Sequence, residues 1–351
     1  MMQQKEAPGR DPLPLDAGRL ARLDDWLKAN VEGFRGPFKL EKFSGGQSNP
    51  TYRIMAASGA YVLRRKPYGT LLPSAHAVER EYRVMKALAG AAAPVPAMLG
   101  LCEDVAVIGV AFFVMAFVEG RVFWDPSLPG VAPGERAAIY DGLNRAMADL
   151  HAVDPAAVGL GDYARAGGYM ARQVARWSTQ YRASETQRIE SMDRLIEWLP
   201  SHLPPEGETR IVHGDPRLDN FIFHPTQPRV LAILDWELST LGDPNADFAY
   251  QVMAWRLGGD LFRGLADVDI AALGIPPERD YVAAYFARVG RPVPAGWDVY
   301  IVFNMFRLAA ILQGVGKRAL DGNAADVRAA EMGAKARPIG DLAWVLARSL
   351  D

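Results

Sequence analysis

Apolar positions along the chain follow two periods, and the change from one to the other divides it. Between Leu15 and Val31, Leu20, Leu23 and Leu27 fall at helical spacing and predict an amphipathic helix with those leucines on one side. The runs Phe38 to Phe43, Thr51 to Ala56 and Tyr61 to Arg64 have strand length, and strand-rich sequence is expected as far as a hinge near Phe117. Val105 to Val118 is almost unbroken apolar sequence with Gly109 and Val110 in its middle. It falls short of the about 20 residues a membrane span needs, and the glycine suggests a turn. Two buried strands are therefore predicted there, the second over Ala111 to Met115.

Beyond Glu119 the helical period dominates. Ile139, Leu143, Met147 and Leu150 repeat at helical intervals within Pro133 to Ala152. Met170, Val174, Trp177 and Tyr181 line one side of a later helix, with Arg172, Arg176 and Arg182 off that line, which is the pattern of a core-facing helix. Tyr300 to Arg307 is apolar on most sides and reads as a central helix that could also touch a substrate. The expected organisation is α+β and bilobal: residues 1–118 form a small strand-rich lobe and residues 119–351 a larger, mainly helical one.

Candidate chemistry interrupts the second lobe. Thr209 to Val212 reads as the end of a buried strand and leads into His213, Gly214 and Asp215; Asn220 follows, and Phe221 to Phe223 leaves as another strand. Asp235 stands at the end of the apolar run Val230 to Leu234. Moving a terminal phosphoryl group onto an alcohol needs one carboxylate near the acceptor hydroxyl and two oxygen ligands for magnesium, since the protein's task is positioning and charge neutralisation. Asp215 is the candidate base, and Asn220 and Asp235 are the candidate metal ligands. His213 is expected to pack and bond to backbone. Arg217 could meet phosphate or acceptor or form a nearby ion pair, and Glu237 could reach the metal shell or cap a turn. Asp243 before Pro244 suits a helix cap.

The segment from His213 to Asn220, followed by Asp235, Trp236 and Glu237, resembles the catalytic and metal loops of the aminoglycoside phosphotransferase and choline kinase-like family, and most closely the kinase-like domains found beside acyl-CoA dehydrogenases. That resemblance implies a protein-kinase-like fold with a small antiparallel-sheet lobe, and ATP and Mg2+ as cofactors. Ser44, Gly45, Gly46, Gln47, Ser48 and Asn49, between two strand-like runs, would then cover the phosphates, small residues letting backbone amides approach. The strand Tyr61 to Arg64 resembles the one whose last residue is normally a phosphate-contacting lysine; here it is Arg64, with Val62 on the same face against adenine. Glu79 and Glu81 are both spaced to meet Arg64, and alignment with the family selects Glu81; Lys66 could share the phosphate contact. The resemblance also places Met115, Ala116 and Val118 at the adenine hinge, and gives Asp247 a structural role accepting backbone hydrogen bonds from the catalytic loop.

Composition narrows the partners. The 351 residues are 50% hydrophobic with a formal net charge of -2, so no broad field attracts nucleic acid or an anionic membrane. One cysteine, Cys102, excludes an internal disulfide, and Met1 to Pro14 lacks the apolar core of a signal peptide, so a cytoplasmic location is expected. The expected partner is a small-molecule hydroxyl acceptor. Acids and bases are interspersed through the second lobe, which favours an acyl- or CoA-linked hydroxy compound over a polycationic aminoglycoside. An inactive, nucleotide-binding kinase relative is the competing expectation, on account of Arg64.

Overall fold

Asp16 begins the first helix, Ala17–Asn30, by accepting the Arg19 amide at 2.8 Å. The computed structural model describes residues 15–43, 49–69, 76–322 and 328–351. Leu23 and Leu27 of this helix are buried, whereas Leu20 is 38% exposed, so its core face is narrower than the leucine spacing predicted.

The chain divides into two compact units, Met1–Ala89 with Pro96–Val118 and Gly90–Val95 with Glu119–Asp351. The first holds a five-stranded antiparallel sheet in the order β1-β2-β3-β5-β4, built from β1 (Phe38–Lys42), β2 (Thr51–Ala56), β3 (Gly59–Arg65), β4 (Met98–Cys102) and β5 (Phe112–Ala116). One sheet face packs with the first helix into a core of Leu23, Leu27, Tyr52, Ile54, Leu63, Phe112 and Val114. Strand alternation then puts Val62 and Arg64 on the opposite face, together with Phe113 and Met115, and Val62 pairs directly with Met115 in the register. The helix Val78–Leu88 follows β3 and buries Glu81 beside Val78, Val84, Met85 and Leu88.

Only one of the two strands predicted between Val105 and Val118 exists. Val105–Ile108 is a single helical turn: Asp104 accepts the Ala106 amide at 2.8 Å, and Gly109 ends the turn in a left-handed conformation at φ 92°. A run of apolar residues does not distinguish a buried strand from a buried turn of helix, and the local cap decided it. The strand that pairs with β5 comes earlier, at Met98–Cys102.

The second unit is mainly helical and carries two short antiparallel pairs. β6 (Arg210–Val212) pairs with β9 (Thr240–Gly242), and β7 (Phe221–Phe223) pairs with β8 (Val230–Ile233). Gly90–Val95 groups here because the Pro94 carbonyl accepts the Ile233 amide at 2.9 Å. The helix Pro133–Ala152 buries Ile139, Leu143, Met147 and Leu150, and Tyr169–Ser184 buries Met170, Val174, Trp177 and Tyr181. The helix Trp297–Leu320 is apolar and long enough to cross a membrane, yet 78% of its apolar window is buried inside the protein, as befits a core helix.

Candidate active site

The loop leaving β6 has a partner for nearly every backbone group. Asp247, 2% exposed on the helix Pro244–Val252, accepts the His213 amide on Oδ2 at 2.7 Å and the Gly214 amide on Oδ1 at 2.8 Å. The Asp215 amide donates to His213 Nδ1 at 3.2 Å, and the Asp215 carbonyl accepts Asn220 Nδ2 at 2.8 Å and the Arg217 amide at 2.8 Å. Gln251 Nε2 donates to the Pro216 carbonyl at 3.1 Å. With its polar groups answered this way, the loop is held rather than free to sample. Burial pushes the Asp247 carboxyl up, but His151, His213 and the Gly214 amide outweigh it and leave it below its ordinary value. Asp243 caps the same helix through the Asn245 amide at 2.8 Å, ahead of Pro244.

His213 joins this loop to the one that carries Asp235. Its Nδ1 accepts from Asp215 while Nε2 donates to the Leu234 carbonyl at 2.7 Å, which sets the tautomer. The Leu234 amide in turn donates to the Asn220 carbonyl at 2.8 Å. Gly214 sits at φ 85°, and a Cβ there would stand 2.6 Å from the Leu238 carbonyl oxygen, so close approach of the two loops requires glycine. Asp235 itself lies in the left-handed region at φ 65°, ψ 62°, a strained setting of the kind that clusters at functional sites.

Asp215 is partly exposed, and its carboxylate oxygens lie 3.0 and 3.1 Å from Arg217 Nε. The Arg217 guanidinium is held charged: burial would lower it, and Asp215 and Asp219 outweigh that and raise it. Because Asn220 Nδ2 is committed to the Asp215 carbonyl, its amide oxygen is the atom left for a cation. Among the described residues no group of three or more His, Cys, Asp or Glu side chains could hold a metal. Asn220 and Asp235 still fit magnesium, which keeps its waters and takes one or two protein oxygens together with phosphate oxygens.

In the first unit, Arg64 Nε stands 2.9 Å from Glu81 Oε2, and Lys66 pairs with Glu79 at 2.9 Å. Glu81 Oε1 accepts Asn49 Nδ2 at 2.7 Å, and Asn49 Oδ1 lies 3.0 Å from His76 Nδ1. The phosphate-covering role expected of Asn49 is one for its backbone; its side chain is buried and orients Glu81. Gly45, Gly46, Gln47 and Ser48 lie outside the described residues. Val62 and Met115 are buried side by side, and the Ala116 amide is committed to the Ala97 carbonyl at 2.9 Å while Val118 is half-buried. Arg65 points the other way, its guanidinium 4.2 Å from the Tyr68 ring centroid.

Sequence reasoning missed a pocket in the second unit. It holds about 60 Å³ of internal space, opens to solvent, and is walled by Trp124, Tyr140, Tyr250, Trp255 and Phe262, with Arg217 and Asp219 from the catalytic loop in its lining. These aromatics come from separate segments, so no local run announced them.

The fold and this loop arrangement are those of a bilobal protein-kinase-like phosphotransferase, and comparisons with known proteins agree. The profile of the Phosphotransferase enzyme family matches residues 39–297, and the chain belongs to that family. It is 50% identical over 311 residues to acyl-CoA dehydrogenase family member 10 of Mus musculus, covering 88% of this chain and 29% of that protein, so it spans under a third of the mouse relative. A crystal structure from Ralstonia eutropha, assigned provisionally as an aminoglycoside phosphotransferase, superposes with a TM-score of 0.87 at 52% identity, covering 94% of this chain and 98% of that one. The hygromycin B and ADP complex of a thermostable mutant of aminoglycoside phosphotransferase APH(4)-Ia shares the fold, with a TM-score of 0.61 at 16% identity over 93% of this chain and 98% of that one.

Proposed function

We propose that the protein is an ATP-dependent phosphotransferase that moves the terminal phosphoryl group onto the hydroxyl of a small molecule, an acyl- or CoA-linked hydroxy compound in preference to an aminoglycoside. The observation that carries this reading is the lock between the two loops: His213 and the Leu234 amide tie Asp215, Asn220 and the start of the Asp235 turn into one unit. Asp215 orients the acceptor hydroxyl and takes its proton. Asn220 and Asp235 hold magnesium, which when bound neutralises charge on the phosphates. Arg64, braced by Glu81, meets a phosphate oxygen, and Val62 and Met115 wall the adenine site.

The acceptor preference is supported by the pocket lined in part by Arg217 and Asp219 of the catalytic loop. Its walls are aromatic, and Asp219, its carboxylate, is already paired with Arg263 at 2.6 Å. A polycation would find little uncompensated negative charge there. Purified protein with ATP and magnesium, offered hydroxyacyl-CoA esters, aminoglycosides, choline and sugars, tests the reading. Phosphorylation confined to the antibiotics would reject the acyl preference.

Arg64 in place of the usual lysine favours a second reading, a nucleotide-binding relative without turnover. ATP consumption unchanged by Asp215→Asn across the same panel would select it. The formal net charge of -2 supports a reading without nucleic-acid or anionic-membrane partners, and the single cysteine suits a reducing, cytoplasmic compartment.

A further inference from the structure

Arg307 is a buried cation with unusual company. It is 6% exposed in the middle of the helix Trp297–Leu320, and its contacts are a carbonyl and two rings: Nη2 donates to the Gly214 carbonyl at 2.6 Å, and the guanidinium carbon lies 5.0 Å from the Tyr250 ring centroid and 5.5 Å from that of Trp177. Among the described residues its Nε has no hydrogen-bond partner. Burying a guanidinium without a carboxylate is costly, so its place calls for a compensating role.

Arg307 reaches Asp215 through the backbone. Gly214 is gripped on both sides, its amide by Asp247 at 2.8 Å and its carbonyl by Arg307. The peptide entering Asp215 is then held at both ends, its carbonyl by Arg307 and its N–H, on Asp215, by His213 Nδ1 at 3.2 Å. The rings of Tyr250 and Trp177 hold the guanidinium in place.

We propose that Arg307 is a positioning residue for Asp215, setting the peptide that carries it. The inference rests on Asp215 acting as the base proposed above. A planar guanidinium is required, since an ammonium can reach the carbonyl but cannot lie against both rings.

The test compares the wild-type chain, Arg307→Met and Arg307→Lys by amide hydrogen exchange over peptides within 211–223, by Mg-ATP binding, and by turnover. Arg307→Met is expected to speed exchange there by roughly tenfold, the worth of one charge-assisted hydrogen bond, and to lower kcat with KM for ATP unchanged. Arg307→Lys should restore part of both. Wild-type exchange in both Arg307 variants overturns the proposal, as does a fall in Mg-ATP affinity equal to the fall in kcat. If the Met variant does not fold, the Lys variant decides: an intermediate exchange rate supports the proposal and a wild-type rate overturns it. Exchange is read without an acceptor, so a wild type that transfers no phosphate sinks the functional reading while leaving this inference decided.

Discussion

Arg64 and Glu81 form a buried ion pair, Nε to Oε2 at 2.9 Å, with the side chains 11% and 2% exposed. Glu81 is itself held from behind by Asn49, so the guanidinium is aimed by a chain of fixed groups. A guanidinium donates in a fork, and here Nε meets the Glu81 carboxylate while Nη1 donates to Thr51 Oγ1 at 3.3 Å, an arrangement a lysine ammonium would not reproduce.

Arg64→Lys is therefore expected to weaken binding of Mg-ATP by roughly tenfold, about the worth of one hydrogen bond to a charged group. Calorimetric titration with a non-hydrolysable nucleotide measures it. Tighter binding by the lysine variant would mean that arginine is a handicap in this pocket.

Asp215→Ala should lower turnover by roughly 10²- to 10⁴-fold, the range for a positioned general base, while nucleotide affinity stays near wild type. Steady-state kinetics on the acceptor found by screening, beside nucleotide titration, separates the two. An equal loss of binding and turnover would argue that Asp215 serves the nucleotide instead.

Asp235→Ala should fail in a different way. Loss of a magnesium ligand should make ATP binding weak and nearly independent of magnesium, read as the change in ATP affinity between magnesium and a chelator. Unchanged magnesium dependence would remove Asp235 from the metal site.

Asp247 gives a pH prediction. Its folded-state carboxyl is held below the ordinary 3.8, so the ionised form contributes stability that is fully present above that value and lost as pH falls through the lower folded-state value. Asp243 acts in the opposite sense, because burial raises it and stability falls as pH rises through its window. Asp247→Asn should destabilise the protein at neutral pH by about 3 kcal/mol, as when one member of a buried charged network is removed. It should also flatten the loss of stability below pH 3.8 relative to wild type. Chemical denaturation across pH measures both, and parallel wild-type and variant profiles would contradict the assignment.

Much of the site was legible because it is local in sequence. Asp215 and Asn220 share one turn between β6 and β7, and Asp235 ends the run that forms β8, as strand-length apolar segments with a polar residue at the end imply. Val62 and Arg64 share a face because a strand alternates. Reading fell short where a distant partner or a local cap decided the outcome. That the Asn49 side chain meets Glu81, 32 residues away, could not be read from its neighbours. Val105–Ile108 was assigned to a strand from its apolar content, and one Asp104 cap makes it helix. Arg307 appeared only as the polar end of an apolar run; its contact with Gly214 spans 93 residues.

By itself, then, the sequence determined most of the strands and helices and the short loops bearing Asp215, Asn220 and Asp235, because periodicity and turn chemistry act over a few residues, while its resemblance to known phosphotransferases supplied the kinase-like class. Tertiary structure alone decided that His213 bridges two loops, that Asp247 and Arg307 grip Gly214 from opposite sides, and that aromatics from separate segments wall one pocket. Those contacts come from burying distant surfaces together, and a buried polar group takes whichever partner the packed core brings within reach.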